Sequence, residues 1–461
     1  MDSENKKALV TAIRLSHSPL DNTYSALGDK VVQLRSENQY ELLDSIEVGD
    51  GHSRKIGSQS AEDYERRISS CIDALGIDTN ADSIKLAEKP YEGAARRLMP
   101  QLKVAAITLA RAFLSGAPIV VRFHNDGDGS TGGIALYRAL AALQAKAFDS
   151  ERSVSWQMNK SIAYTKESFY QDSMLFESYR SVEKPLLVIT DFGTSPESEE
   201  AMEAARGAFD IIWLDHHSPY EAFPRKLVKH YINVFDYGGD SSFTAGLLTC
   251  MLSQALSSVD VSQLVGASLV SDYSTYADPS DKRAARDATI LDFLTSNRDD
   301  LYSKPRQMDA ILRDDLKAEE TFRYATSLLE EAISVGMGSL RKYKSENGIN
   351  VCTLDFGLVA KLGLPYPLPG RYSSKLQYAL ESVNSGNTIT LVYYGNYISM
   401  RASSDTRSKV NLLDTIARLS RSTDNAVSGG GHLQAASVRV GKENVMDVLR
   451  LLLVELGVRE Q

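Results

Sequence analysis

At 461 residues, with 43% hydrophobic and 24% charged residues, the chain is long enough for two or three domains and too ordinary in composition for a disordered or fibrous protein. A net charge of −9 argues against tight, sequence-independent binding of duplex nucleic acid, although residues 345–461 carry 12 Lys/Arg against 10 Asp/Glu. Three scattered cysteines (Cys71, Cys250, Cys352) without a CxxC pair exclude a zinc ribbon or disulfide framework; with no apolar leader and no membrane-length apolar run, they predict a cytoplasmic protein with no membrane partner.

Residues 1–103 read as an N-terminal extension of unknown role. Within it 8–15 suits a strand or a short helix, and 60–75 has helical spacing, with Tyr64, Ile68, Cys71, Ile72 and Leu75 on one face. A helix over 100–114, with Pro100 in its first turn, leads into a strand at 118–124. Helix 130–147, strand 153–159, helix 166–179, strand 185–190, helix 197–207, strand 210–215 and a short strand at 231–235 follow. That rhythm predicts an α/β catalytic domain over 104–280, a parallel sheet with helices on its faces. The stretch 238–244 opens a helix reaching about residue 255, and its backbone N–H groups suit capping or a phosphate. A charged helical linker over 281–345, its acidic pairs solvated, separates this domain from a smaller α+β domain over 346–461. The latter holds a hairpin of 388–394 and 397–402 across Gly395-Asn396, a helix at 411–420, a strand at 436–440 and a final helix at 444–456.

Four polar clusters end apolar segments of the catalytic domain. His124, Asp126 and Asp128 follow the run 118–121 at i, i+2 and i+4, with Gly127 and Gly129 allowing a tight turn. Asp191-Phe192-Gly193 follows 185–190, Asp215-His216-His217 ends 211–214, and Ser271-Asp272 closes the apolar run 264–270. Each cluster alone is equally a solvated turn. Open parallel sheets, however, place ligand sites at the carboxyl ends of their strands, and buried, unpaired carboxylates are costly without a cation. A metal site is the simplest common explanation, in the pattern of a two-metal phosphoesterase.

In this order, and with Gly429-Gly430-Gly431-His432 followed by Ala435-Ala436, the motifs resemble the DHH phosphoesterase superfamily and its DHH-associated C-terminal domain. The wording of 121–126 and 132–136 is most similar to archaeal RecJ-like single-strand exonucleases. The resemblance implies that His124, Asp126 and Asp191 bind one cation and that Asp128, Asp191, His216 and Asp272 bind another, Asp191 bridging. His217 would face the scissile phosphate, and Asp215 would orient the histidine pair. Two Mn²⁺ per site are implied, with Mg²⁺ the alternative, because imidazole suits the transition metal. Arg401, Gly429, Gly430, Gly431 and His432 would hold the substrate, the glycines as an anion nest. The implied activity is release of mononucleotides from single-stranded DNA or RNA, in DNA repair or replication. Alternatives are a phosphodiesterase for short oligonucleotides or cyclic dinucleotides and, from another class, a replisome-associated scaffold partnered with replication-complex proteins. The complete ligand set argues against an inactive scaffold. Gly127 stands where relatives often carry Ala, Val234 where they carry Pro, and no basic oligonucleotide-binding domain is visible.

Overall fold

The computed structural model describes residues 10–18, 23–27, 31–35, 41–49, 52–80, 82, 84, 89–148, 154–177, 179–220, 223–296, 304–384, 386–406, 408–423, 427–431, 434–441 and 444–458. The chain divides into two compact units, Met1–Leu291 with Asp299–Arg313, and Asp292–Arg298 with Asp314–Gln461.

The first unit opens with an antiparallel sheet of β1 (Val10–Ser18), β2 (Thr23–Leu27), β3 (Val31–Arg35), β4 (Asp44–Gly49) and β5 (His52–Ser58), in the order β3-β2-β1-β4-β5. Strand β1 is bulged between Arg14 and Ser16 and pairs with β4 and β2 through different parts of its length. Helix α1 (Ala61–Ala74) starts at a capping box of Ser60 and Asp63 and buries Tyr64, Ile68 and Ile72, as their spacing predicts. After the single turn α2 (Ile77–Asn80), helix α3 (Glu92–Leu114) begins eight residues before the expected start, so Pro100 lies inside it and not in its first turn. Pro100 is on the exposed face, while Ala94, Ala95, Leu98 and Leu102 form a continuous buried stripe that carries the helix past it.

The centre of this unit is β6 (Ile119–His124), α4 (Gly127–Ala147), β7 (Ser155–Asn159), α5 (Lys166–Met174), β8 (Arg180–Ser181), β9 (Leu186–Thr190), α6 (Glu199–Ala208), β10 (Asp210–Asp215) and β11 (His230–Asn233). Five of these strands form a parallel sheet in the order β11-β10-β9-β6-β7, as the alternating rhythm requires. Strand β8 pairs instead with β1. Chain direction across the sheet reverses between β6 and β9, which makes their carboxyl ends the topological switch point. One apolar core, including Leu102, Leu109, Val121, Leu136, Val188 and Leu248, lies on one face, and a second around Tyr164, Phe192, Met202 and Trp213 lies on the other. Both faces of the sheet are thus apolar, which explains the hydrophobic runs 119–121, 186–189 and 211–214 in its central strands.

Helices α7 (Ala245–Leu256) and α8 (Ser262–Ser271) complete the site's surroundings. The run ending at Asp272 is therefore a helix, unlike the other three site segments. Its buried residues Leu264, Ala267, Ser268 and Ser271 recur at i, i+3, i+4 and i+7. Helices α9 (Lys282–Ser296) and α10 (Pro305–Arg313) follow, the latter fixed to α4 by the buried pair of Arg138 and Asp309.

The second unit contains α11 (Asp315–Ser339), β12 (Arg341–Lys344), β13 (Asn350–Asp355), α12 (Phe356–Ala360), α13 (Pro369–Asn384), β14 (Thr388–Tyr394), β15 (Tyr397–Ala402), α14 (Leu412–Ser422), β16 (Val427–Gly431), β17 (Ala435–Val440) and α15 (Val445–Glu455). Its mixed sheet runs β12-β13-β14-β15-β17-β16. The β14–β15 hairpin closes Tyr394 on Tyr397 across Gly395, whose φ of 58° is the left-handed value that its turn needs. Among the described residues no helix is long and apolar enough to cross a membrane.

Candidate metal centre

Strand β6 delivers His124, and the chain turns at once into α4. Asp126 is the N-cap, its Oδ1 accepting from the N–H of Gly129 at 3.0 Å. A Cβ on Gly129 would stand 2.5 Å from the His124 carbonyl oxygen, so only glycine lets the first turn of α4 come this close to β6. His124 Nδ1 lies 2.8 Å from Asp126 Oδ2.

Asp191 leaves β9 with φ at 70°, a conformation unusual for a residue with a side chain. Its N–H donates to the Leu214 carbonyl at 3.0 Å, which ties the ends of β9 and β10 together. Asp215, buried at the end of β10, does not face the cluster with its own carboxylate. Its Oδ1 accepts from the backbone N–H groups of His216 (2.8 Å) and His217 (3.1 Å) and lies 2.8 Å from His217 Nδ1. Thr194 Oγ1 donates to its other oxygen. Asn233 Nδ2 donates to the His217 carbonyl at 2.9 Å, so the end of β11 fixes the same turn. Thr194 and Asn233 carry no signal of this role in the sequence: Thr194 lies past the strand expected at 185–190, and Asn233 falls inside the one expected at 231–235, whereas β11 ends at Asn233. Thr194→Val should lower turnover by about 10- to 100-fold, the usual effect of removing an outer partner of a site histidine. Steady-state kinetics and bound-metal content, the latter unchanged, check this.

The side chains converge in three overlapping groups: His124, Asp126 and Asp191; Asp191, His216 and His217; Asp128, His216 and Asp272. His216 Nε2 lies 3.2 Å from Asp272 Oδ2, 3.4 Å from Asp191 Oδ1 and 3.9 Å from Asp128 Oδ2. The other ring nitrogen of His216 is 3.0 Å from the Ser241 carbonyl, which can only accept. This fixes the proton on Nδ1 in the neutral ring and turns the Nε2 lone pair toward the carboxylates. The His217 side chain is 34% exposed and that of His216 is fully buried, so of the two only His217 is open to an incoming ligand.

Asp128 is held from the opposite side. Both its oxygens receive backbone N–H groups from the start of α7, Ala245 to Oδ2 and Gly246 to Oδ1, each at 2.9 Å, and Ser268 Oγ donates to Oδ1 at 2.5 Å. Thr244 is the N-cap of that helix, accepting from Leu247 at 3.3 Å. The first turn of α7 therefore spends its N–H groups on Asp128 and capping, and the phosphate alternative for 238–244 gives way to capping. Ser268→Ala removes one of the three donors, and Mn²⁺ affinity should fall by about 10- to 100-fold, measured by titration.

Electrostatics agree with a site built around a cation. Burial, then the charges of Asp191 and Asp272, pushes the Asp128 carboxyl well above the usual carboxylate range. Burial also raises Asp272, more than the nearby His216 lowers it. Burial opposes charge on the three histidines, yet their carboxylate neighbours outweigh it: Asp126 and Asp191 for His124, Asp191 and Asp272 for His216, Asp215 for His217. Asp215, despite burial, is held below the usual carboxylate value by His217 and His216. Asp191 Oδ2 is buried without a hydrogen-bond partner, with His124 Nδ1 3.7 Å away. An orphaned carboxylate oxygen amid four acidic and three imidazole groups fits divalent cations, whose binding would displace the protons held there.

In the second unit Arg401 is occupied within its own fold. Nε donates to Ser374 Oγ at 2.8 Å, and the guanidinium also reaches the carbonyls of Met400 (2.9 Å), Gly370 (3.2 Å) and Ala436 (3.4 Å). Gly429, Gly430 and Gly431, expected as an anion nest, form the edge strand β16 paired to β17. Backbone atoms of β17 occupy the space of any Cβ at Gly429 and Gly431, so the glycines permit strand pairing, while Gly430 faces open space. His432 lies outside the described residues.

A parallel sheet that gathers imidazoles and carboxylates at its carboxyl edge, over a switch point, defines an open-sheet α/β domain with a candidate metal centre. Residues 118–269 match the family model described as the DHH family, N-terminal domain. An uncharacterized protein of Methanocaldococcus jannaschii is 24% identical over 440 residues, 84% of this chain; the chain spans 57% of that relative's length. Among solved structures, the DHH domain of a protein described as a member of a family of ribosomal proteins superposes with a TM-score of 0.72 at 21% identity, over 87% of this chain and 100% of the other. RecJ from Thermus thermophilus, in complex with Mn²⁺, superposes with a TM-score of 0.51 at 17% identity, over 84% of this chain and 60% of the other.

Proposed function

We propose that this protein is a RecJ-like, metal-dependent exonuclease that releases mononucleotides from single-stranded DNA or RNA. The observation that carries the reading is the convergence of three groups of candidate metal ligands, linked in series by Asp191 and His216. In this reading 104–280 is the catalytic domain, 281–345 a linker and 346–461 the substrate-binding domain. His124, Asp126 and Asp191 would hold one cation; Asp128, Asp191, His216 and Asp272 would hold the second. The imidazole-rich donor set favours Mn²⁺ over Mg²⁺. Such a pair supplies Lewis acidity to a phosphoryl oxygen and acidifies an attacking water. The chain's own part is to aim His217 at the substrate through Asp215 and to exclude solvent from His216 and Asp128. Arg401 would act by shaping the β15–β17 surface, and Gly429, Gly430, Gly431 and His432 would meet the strand end.

Digestion of single-stranded DNA and RNA, labelled at either end and spanning dinucleotides to long oligomers, with Mn²⁺ present, tests the proposal. Stepwise shortening of long strands supports it and gives polarity and sugar preference. Cleavage confined to the shortest species moves the assignment to a short-oligonucleotide or cyclic-dinucleotide phosphodiesterase. Absence of cleavage with Mn²⁺ bound overturns it in favour of a scaffold.

A further inference from the structure

The end of helix α8 carries an anomaly beside the metal centre. Asp272 is its C-cap, and the next two residues close a Schellman motif: Tyr273 N–H donates to the Val270 carbonyl at 3.2 Å and Ser274 N–H to the Leu269 carbonyl at 2.9 Å. The position after the cap must be left-handed and is ordinarily glycine. Here it is Tyr273, at φ 52°. Among the described residues only Leu43, Asp191, Tyr273 and Asn387 combine a side chain with positive φ, and two of these four stand at the metal centre.

The strain is held in place. Ser274 Oγ donates to the Ser242 carbonyl at 2.5 Å and accepts from Tyr276 N–H at 3.1 Å, which pins the turn against the segment whose Ser241 carbonyl fixes His216. Packing does not account for the ring, because Tyr273 is 52% exposed. A large aromatic stands in a glycine position, half exposed and covalently next to Asp272, whose carboxylate is 3.2 Å from His216 Nε2, and among the described residues its hydroxyl has no hydrogen-bond partner and its ring no aromatic partner. Strained backbone that persists for no structural gain is characteristic of functional positions.

We propose that Tyr273 is a specificity-determining residue whose ring stacks on a nucleobase flanking the scissile phosphate. This rests on the phosphodiesterase reading above. Stacking suits a substrate of arbitrary sequence, since every base offers a π-face. It would also select nucleotide substrates over other phosphodiesters that reach the same cations.

The test compares wild type, Tyr273→Phe and Tyr273→Gly on a single-stranded oligonucleotide and on the same strand with abasic residues on both sides of the cleaved bond. Tyr273→Gly should raise the melting temperature by removing the strain, leave Mn²⁺ content unchanged and increase KM for the normal strand about tenfold, as expected for one lost base stack. On the abasic strand the two proteins should have equal KM, and Tyr273→Phe should behave as wild type on both. An equal loss on both strands, or a lowered melting temperature, would make Tyr273 a structural residue and overturn the proposal. If wild type cleaves neither strand, the phosphodiesterase reading fails instead.

Discussion

Asp191→Ala is expected to reduce Mn²⁺-dependent phosphodiester hydrolysis by at least about a thousandfold, the rate equivalent of several kcal/mol of lost charge stabilisation. Asp191 belongs to two of the three converging groups, with Oδ1 3.4 Å from His216 Nε2 and Oδ2 3.7 Å from His124 Nδ1. Among the described residues no other carboxylate joins both histidines in this way, so its loss separates the β6 half of the site from the β10 half. Bound Mn²⁺, counted by elemental analysis, should fall from two per chain to one or fewer. Alanine is also strained at φ 70°. Asp191→Asn, which tolerates that conformation, therefore separates charge from backbone and should lose nearly as much activity. Two bound cations and undiminished turnover in Asp191→Asn would refute the two-metal assignment.

The legible parts of this protein are those in which local pattern and tertiary demand coincide. The segments 119–121, 186–189 and 211–214 of β6, β9 and β10 are apolar toward both faces of the sheet, and so they read as short uninterrupted runs. The expected ligands of β6, β9 and β10 follow directly after them, and the hairpin at Gly395-Asn396 has its turn written in two residues. What could not be read depends on partners distant in sequence. Nothing local distinguishes Gly246 or Ser268 from ordinary helix residues, yet both reach across more than a hundred residues to Asp128. Similarly, β1 to β5 form by antiparallel pairing around a bulge, which interrupts the period-two alternation that announces a strand. The conformation of the Gly429–Gly431 stretch was not legible either: glycines that read as a loop lie in β16, where they allow it to pack close on β17. The element that carries Asp272 was ambiguous for a related reason, since the run 264–270 is equally apolar as strand or helix and only its burial at helical spacing decides.

Gly246→Ala should be nearly as damaging to metal binding as the loss of a ligand, although Gly246 touches no cation in any reading. A Cβ there would fall 2.6 Å from Asp128 Oδ1 and 2.7 Å from Ser268 Oγ, and closer still to Thr131 Oγ1. None of these oxygens can retreat freely. Ser268 Oγ is engaged with Thr244 Oγ1 at 2.5 Å, Thr131 Oγ1 donates to the Asp128 carbonyl at 2.6 Å, and all four residues are fully buried. The backbone cannot yield either, because the Gly246 N–H is itself one of the donors to Asp128. The methyl group must therefore displace the carboxylate. Overpacking of about 1–3 kcal/mol adds to a lost charged hydrogen bond of about 1.5–3 kcal/mol. The expected result is a melting temperature lowered by several degrees in the metal-free protein and an Mn²⁺ affinity reduced more than about a hundredfold. Measuring both quantities separates the two effects, since a general loss of packing would lower the melting temperature while leaving the affinity of the folded fraction intact. Gly246→Ala with wild-type Mn²⁺ affinity would mean that Asp128 is not placed by the α7 terminus, and that the second cation is held without it.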